Sequence, residues 1–393
     1  MKKLQKPKRK NKMDSGRDLF AYFEPTDTSL LSNPVPFQYS HLGDHITFLT
    51  GQSGESDLDK AKLVIFGYPD SSGSILVKKH LYSLSNHFPP SSILDLGTLR
   101  KGKKIADTDS GLRDVVAELG RKQKTIIIVG GKTKDTLALY NAYALLEQRV
   151  NICGVDSGIP LSTEIKYPKS HYLNKILLNP KNRLFDYTHL AYQAYFTSTS
   201  ILELLDQLFF NHIRLGRIRQ DIRESEPEFR NSDILSFSMS AIRESDAPES
   251  DHSGPNGLYA EEACQLSRYA GLSERLSCFF LNDLNHNSLN NQSTAALAAQ
   301  MIWYFLQGFF QRKTEYPYTD IKKFQKFIVN VPQVGHDIHF YKSPKTNRWW
   351  LEVPYPDTKY SRLLYVACTP SDYKLACEGE IPDRWWKNFQ RLS

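Results

Sequence analysis

Short runs of apolar, β-branched-rich residues alternate with longer amphipathic stretches through the first three-quarters of the chain, and this alternation limits the possible folds most. Residues 61–67 (AKLVIFG), Thr125–Val129 (TIIIV), 150–156 (VNICGVD), 235–241 (LSFSMSA) and Cys278–Asn282 (CFFLN) read as strands apolar on both faces. Such strands suit a parallel sheet covered by helices on both sides. Helical patterns at about 108–121, 135–147, 200–210, 258–270 and 293–310 supply the cover. Strand followed by helix, repeated, predicts a three-layer α/β/α sandwich with a central, mostly parallel sheet and right-handed crossovers. Functional groups in such folds gather where loops leave the C-terminal ends of the strands.

The pattern changes after about residue 313. Residues 336–341 and 349–353 alternate around the turn-rich SPKTNR, which predicts a β-hairpin. The closing IPDRWWKNFQ is aromatic and basic. Trp349, Trp350, Trp385 and Trp386 are expected to pack this appendage, since large aromatic side chains dominate small cores. The chain therefore divides into a basic tail (1–13), an α/β domain (14–312) and a β-rich C-terminal appendage (313–393).

Charge is unevenly placed. Of the formal net charge of +7, the first thirteen residues carry seven Lys or Arg and no acid, so the body is close to neutral. The tail could contact RNA, a ribosome or an anionic surface, or be a solvated extension preceding a start at Met13. No folded nucleic-acid motif accompanies it. Five widely spaced cysteines without a CxxC pair argue against a disulfide framework or a structural zinc site and suit a reducing cytoplasm. The apolar runs are too short to span a bilayer.

Four ordered blocks carry a family resemblance. Gly130-Gly131 closes one strand, Val155-Asp156 ends the next, and Ser236-Phe237 is followed by Asp246-Ala247-Pro248 and Gly257-Leu258. Residues 280–285 are followed by a helix over 294–303. In this order they resemble the GG(D/N)HS, DAHxD, SxDxDxxDPxxAP…GG(L/F) and ExNP motifs of the ureohydrolases (arginase, agmatinase, formimidoylglutamase). The whole chain looks like the long arginase-family proteins of Bacteroidetes. The resemblance implies an arginase-like fold and a pair of Mn²⁺ ions held by two His and four Asp, which share a hydroxide that attacks a guanidinium or formimino carbon. Hard cations need several carboxylate oxygens, and a bridging pair lowers the pKa of water.

Carried over position by position, that ligand set is mostly gone. The first His falls at Thr133, the bridging Asp is kept as Asp156, the second His falls at Gly158 and the next Asp at Pro160. The two Asp of SxDxD fall at Ser238 and Ser240, and the substrate-side acid falls at Asp283. Lys132 and Lys134 place positive charge nearby, and one of them is a possible partner for Asp156. Residues 67–74 resemble the family's substrate-side loop, but the segment after it, 75–81, is short, which predicts a reshaped pocket mouth.

Other candidates are weaker. His336 and His339 form HxxH on a strand, where an i, i+3 pair faces opposite ways. His286 near Asp283 has no motif-linked nucleophile. Gly130-Gly131-Lys132-Thr133 lacks the spacing of a phosphate loop. The sequence thus predicts a ureohydrolase shell without a catalytic manganese pair and without a required cofactor. Its role would be binding or assembly with a protein partner or with copies of itself. The alternative is a manganese-dependent hydrolase of linear amidines, with metal held by residues outside the matched positions.

Overall fold

The structure is a computed structural model and describes residues 18–27, 40–50, 54–69, 72–164, 171–248, 250, 254–284, 292–315, 317, 321–355 and 363–393. The basic tail, Ser71 and the Asn285-His286 pair lie outside the described residues.

Ten strands make the main sheet: β1 (Phe23–Glu24), β2 (Thr47–Phe48), β3 (Leu63–Gly67), β4 (Ile93–Leu99), β5 (Thr125–Val129), β6 (Val150–Val155), β7 (Leu184–Tyr192), β8 (Asn211–Arg214), β9 (Ile234–Ser238) and β10 (Cys278–Asn282). Nine run in the order β1-β4-β3-β5-β10-β9-β6-β7-β8, and β2 pairs with β4. Every pairing is parallel except β1 with β4. This is the expected mostly parallel sheet.

The helices are α1 (Glu55–Lys60), α2 (Ser72–Tyr82), α3 (Ile105–Arg121), α4 (Thr136–Leu145), α5 (Tyr172–Leu177) and α6 (Thr199–Gln207). They continue with α7 (Leu215–Gln220), α8 (Glu226–Arg230), α9 (Ala260–Gly271), α10 (Gln292–Phe310), α11 (Pro370–Cys377) and α12 (Asp383–Leu392). Successive residues of a strand point to opposite faces, and two cores result. Ile127, Val129, Leu235 and Phe279 pack with α2, α9 and α10. Ile126, Ile128, Ile234 and Phe280 pack with α3, α4, α5 and α6. Strands covered on both sides are apolar at most positions, as these sequences are.

Residues 75–81 do not form a short loop as the sequence suggested; they lie inside α2. The Lys78 side chain from this helix is buried (2% exposed) against the fully buried Asp95 of β4 at 2.7 Å. Its ammonium also donates to the Gly97 carbonyl at 2.8 Å, while Tyr82 and Thr26 hydroxyls donate to Asp95.

The appendage is a separate antiparallel sheet of four strands in sequence order: β11 (Gln325–Val331), β12 (His336–Lys342), β13 (Trp349–Pro354) and β14 (Leu363–Cys368). The predicted hairpin is β12–β13. Trp349, Trp350 and Trp385 are buried and Trp386 is exposed. His339 faces Glu352 at 2.9 Å, whereas exposed His336 lies against Trp385, so the two histidines do not share a site. The sheet is fastened to the main domain through α8. Arg230 donates to the Trp349 and Cys368 carbonyls, and Arg384 of α12 bridges Glu228 and Asp372.

Candidate functional site

Four neighbouring strands, β5, β10, β9 and β6, end side by side. Val129 pairs with Leu281, Asn282 with Ser238, and Phe237 with Val155. The residue after each strand therefore opens onto one small space. After β5 the chain turns through Gly130 and Gly131, both at positive φ (94° and 88°). A Cβ on Gly131 would also come within 3.1 Å of Phe280 and Tyr68, so only glycine fits. This turn delivers Thr133 over the ends of β10 and β6.

The hydroxyl of Thr133 lies 2.5 Å from Asp283 Oδ2, 2.9 Å from Asn282 Oδ1 and 3.2 Å from Asp156 Oδ2. Ser240 donates to Asp156 Oδ1 at 2.5 Å, Ser238 donates to Asp283 Oδ2 at 2.8 Å, and the two serine oxygens are 2.7 Å apart. The Ser157 amide also donates to Asp156 Oδ1. Two carboxylates are thus joined by hydroxyls on both sides. Burial pushes Asp156 up to about 6, the negative charge of Asp283 adds to the rise, and the Ser240, Ser157 and Thr133 donors oppose it.

Five of the positions singled out in the sequence meet here: Thr133, Asp156, Ser238, Ser240 and Asp283. Gly158 and Pro160 sit on the loop after β6, and a Cβ on Gly158 would meet nothing within 4 Å. Lys134 acts on Asp109 and Asp135 in a neighbouring small cleft. Asp156 makes no ion pair among the described residues; hydroxyls and an amide hold it where a lysine was expected.

Sequence reasoning overlooked several participants. Asn282, the last residue of β10, anchors Ser236 through its amide at 3.0 Å, and Ser236 meets Thr136. Beneath Asp156, His189 Nε2 lies 3.2 Å from the Asp156 carbonyl and its Nδ1 2.8 Å from the Tyr187 hydroxyl. A carbonyl only accepts, so Nε2 carries the proton and Tyr187 donates to Nδ1. Burial pushes His189 down to about 4. The cue was available: Asn282, His189 and Asp186 are polar residues at or inside otherwise buried strands.

The chain superposes on solved ureohydrolases over about seven-tenths of its length. Formiminoglutamase of Trypanosoma cruzi, solved with Mn²⁺, superposes with a TM-score of 0.60 at 17% identity over 70% of this chain and 100% of that one. The fold is that of the ureohydrolases. Formimidoylglutamase of Bacillus subtilis gives 0.60 at 16% identity (72% and 95% covered), and agmatine ureohydrolase of Thermoplasma volcanium gives 0.52 at 19% (70% and 95%). No protein-family model matches the sequence, and no curated protein does.

In this ureohydrolase fold the donor set formed by the described residues does not suit a manganese pair. Among the described residues, Asp156 and Asp283 are the carboxylates of the cluster, and their oxygens already accept hydrogen bonds from Thr133, Ser238, Ser240 and Ser157. Neutral hydroxyls are weak ligands for divalent ions, and His189 directs its Nε2 proton at a main-chain carbonyl. Among the described residues no three His, Cys, Asp or Glu side chains converge as a metal site.

Proposed function

We propose that this protein uses the ureohydrolase shell without ureohydrolase chemistry and serves a binding or assembly role, with a protein partner or with further copies of itself. The observation that carries this reading is the closed hydroxyl–carboxylate cluster. Where two-metal hydrolysis requires ligands with free lone pairs, Thr133, Ser238 and Ser240 turn their hydroxyls onto Asp156 and Asp283.

The test is metal content. Purified protein dialysed against manganese should retain far less than one ion per chain, and no urea, ammonia or formamide should be released from arginine, agmatine or formiminoglutamate. Near-stoichiometric Mn²⁺ together with release of one of these products would establish a linear-amidine hydrolase and overturn the proposal.

A further inference from the structure

At the opposite end of the sheet, where β6 and β7 begin, lies a cleft of about 950 Å³. Its lining includes five cations, Arg113, Arg149, Lys181, Arg183 and Arg391, and no acidic residue. Some of this charge has an internal explanation, because basic side chains near helix C-termini satisfy free carbonyls. Arg183 donates to the Glu147 carbonyl after α4, and Arg113 is held by Asp114.

Arg391 is different. Its side chain is only 6% exposed, and its Nη1 serves both Asp186 and the Phe209 carbonyl. The other two nitrogens, Nε and Nη2, are buried with no acceptor. They form one edge of the guanidinium, the planar two-donor fork that matches two oxygens of a carboxylate or phosphate. A buried donor edge without an acceptor is costly and rare. Arg149 stands near the same aromatic ring: the guanidinium carbons of Arg149 and Arg391 lie 5.5 and 5.6 Å from the Phe185 centroid.

We propose that this cleft binds a phosphate-bearing small molecule. On binding, a shift of the side chains that cover Arg391 brings its Nε–Nη2 edge, buried in the unliganded chain, onto two phosphate oxygens, and Arg149, Lys181 and Arg183 neutralise the remaining charge from the rim. A single carboxylate would be matched by the Arg391 fork alone, whereas three further exposed cations suit a multiply charged group. The cations surround a recess of ligand size rather than forming a stripe, which favours a compact ligand over a nucleic-acid backbone.

Pyrophosphate is the probe. Titrated calorimetrically into the full chain at constant ionic strength, it should bind and raise the thermal midpoint by ~2–4 °C near saturation. Sodium chloride at the same ionic strength should not. Arg391→Lys keeps a cation for Asp186 but removes the fork, and should weaken binding about ten-fold or more. The exposed pair Arg149→Gln/Arg183→Gln should do likewise without loss of fold, which keeps the test decisive if the first variant misfolds. The proposal is overturned if pyrophosphate acts no differently from chloride, if either folded variant binds undiminished, or if a long RNA binds and pyrophosphate does not.

Discussion

At the scale of single residues, Asp156 stands out because folding disfavours its charge. Its pKa is pushed from 3.8 to about 6, mainly by burial. In that interval the folded state binds more protons than the unfolded state, so this residue's contribution to stability falls as pH rises from about 4 to about 6. Above that window the full cost is present. Asp156→Asn should therefore be more stable than the parent at pH 7 by on the order of 1–2 kcal/mol, after allowance for weakened hydrogen bonds, and the advantage should vanish near pH 4. Urea midpoints at the two pH values check this; a variant weaker than its parent at pH 7 contradicts it. His189 works against the trend. Its pKa is lowered to about 4, so the unfolded state takes up the proton first and stability is lost as pH falls below about 6.5. Much of this cluster was legible from motif order, because strand ends that are adjacent in the sheet occur in a fixed order along the chain. The hydroxyl ladder was not, since Ser238 points at Asp283 and Ser240 at Asp156, each more than forty positions away.

At the scale of elements, the same distinction separates the strands read correctly from those missed. TIIIV and CFFLN are uninterrupted apolar runs and matched β5 and β10 to the residue. Strand β4 (ILDLGTL) has an aspartate and a glycine in its middle, and β7 (LFDYTHLAY) carries Asp186, Thr188 and His189. Each polar residue there has a partner distant in sequence, which local periodicity cannot reveal. Helix α2 was missed for the matching reason: Lys78 lies on its buried face, where it meets Asp95. Removing one member of a buried pair strands the other. Lys78→Met should cost about 3–5 kcal/mol in chemical denaturation. The double change Lys78→Met/Asp95→Asn should recover part of that loss; a double variant no better than the single would refute the pairing argument.

At the scale of the molecule, the two sheets are expected to unfold together. Buried Arg230 of the main domain spends its guanidinium on carbonyls of β13 and β14, and Arg384 of α12 is fixed by Glu228 and Asp372. Separation would break the Arg230 hydrogen bonds to the smaller sheet and the Arg384–Glu228 ion pair. Four of the five tryptophans lie at 349, 350, 385 and 386, in or beside the smaller sheet, so fluorescence follows that sheet while far-ultraviolet circular dichroism follows mainly the larger one. Coincident transitions by the two probes are the expected result; two resolved transitions would show that the appendage folds independently.

The strand order has a consequence for how the chain is assembled. Strands β1–β5 lie on one side of β10, and β6–β9 lie on the other. The centre of the sheet is therefore the last part to be made. Until residues 278–282 emerge, a growing chain carries two half-sheets, each with an open hydrogen-bonding edge, at β5 and at β9. Open edges invite pairing with other chains. Synthesis halted shortly before β10 should yield aggregates rather than a soluble partial domain, and the strand that joins the halves also brings Asn282 and Asp283 into place.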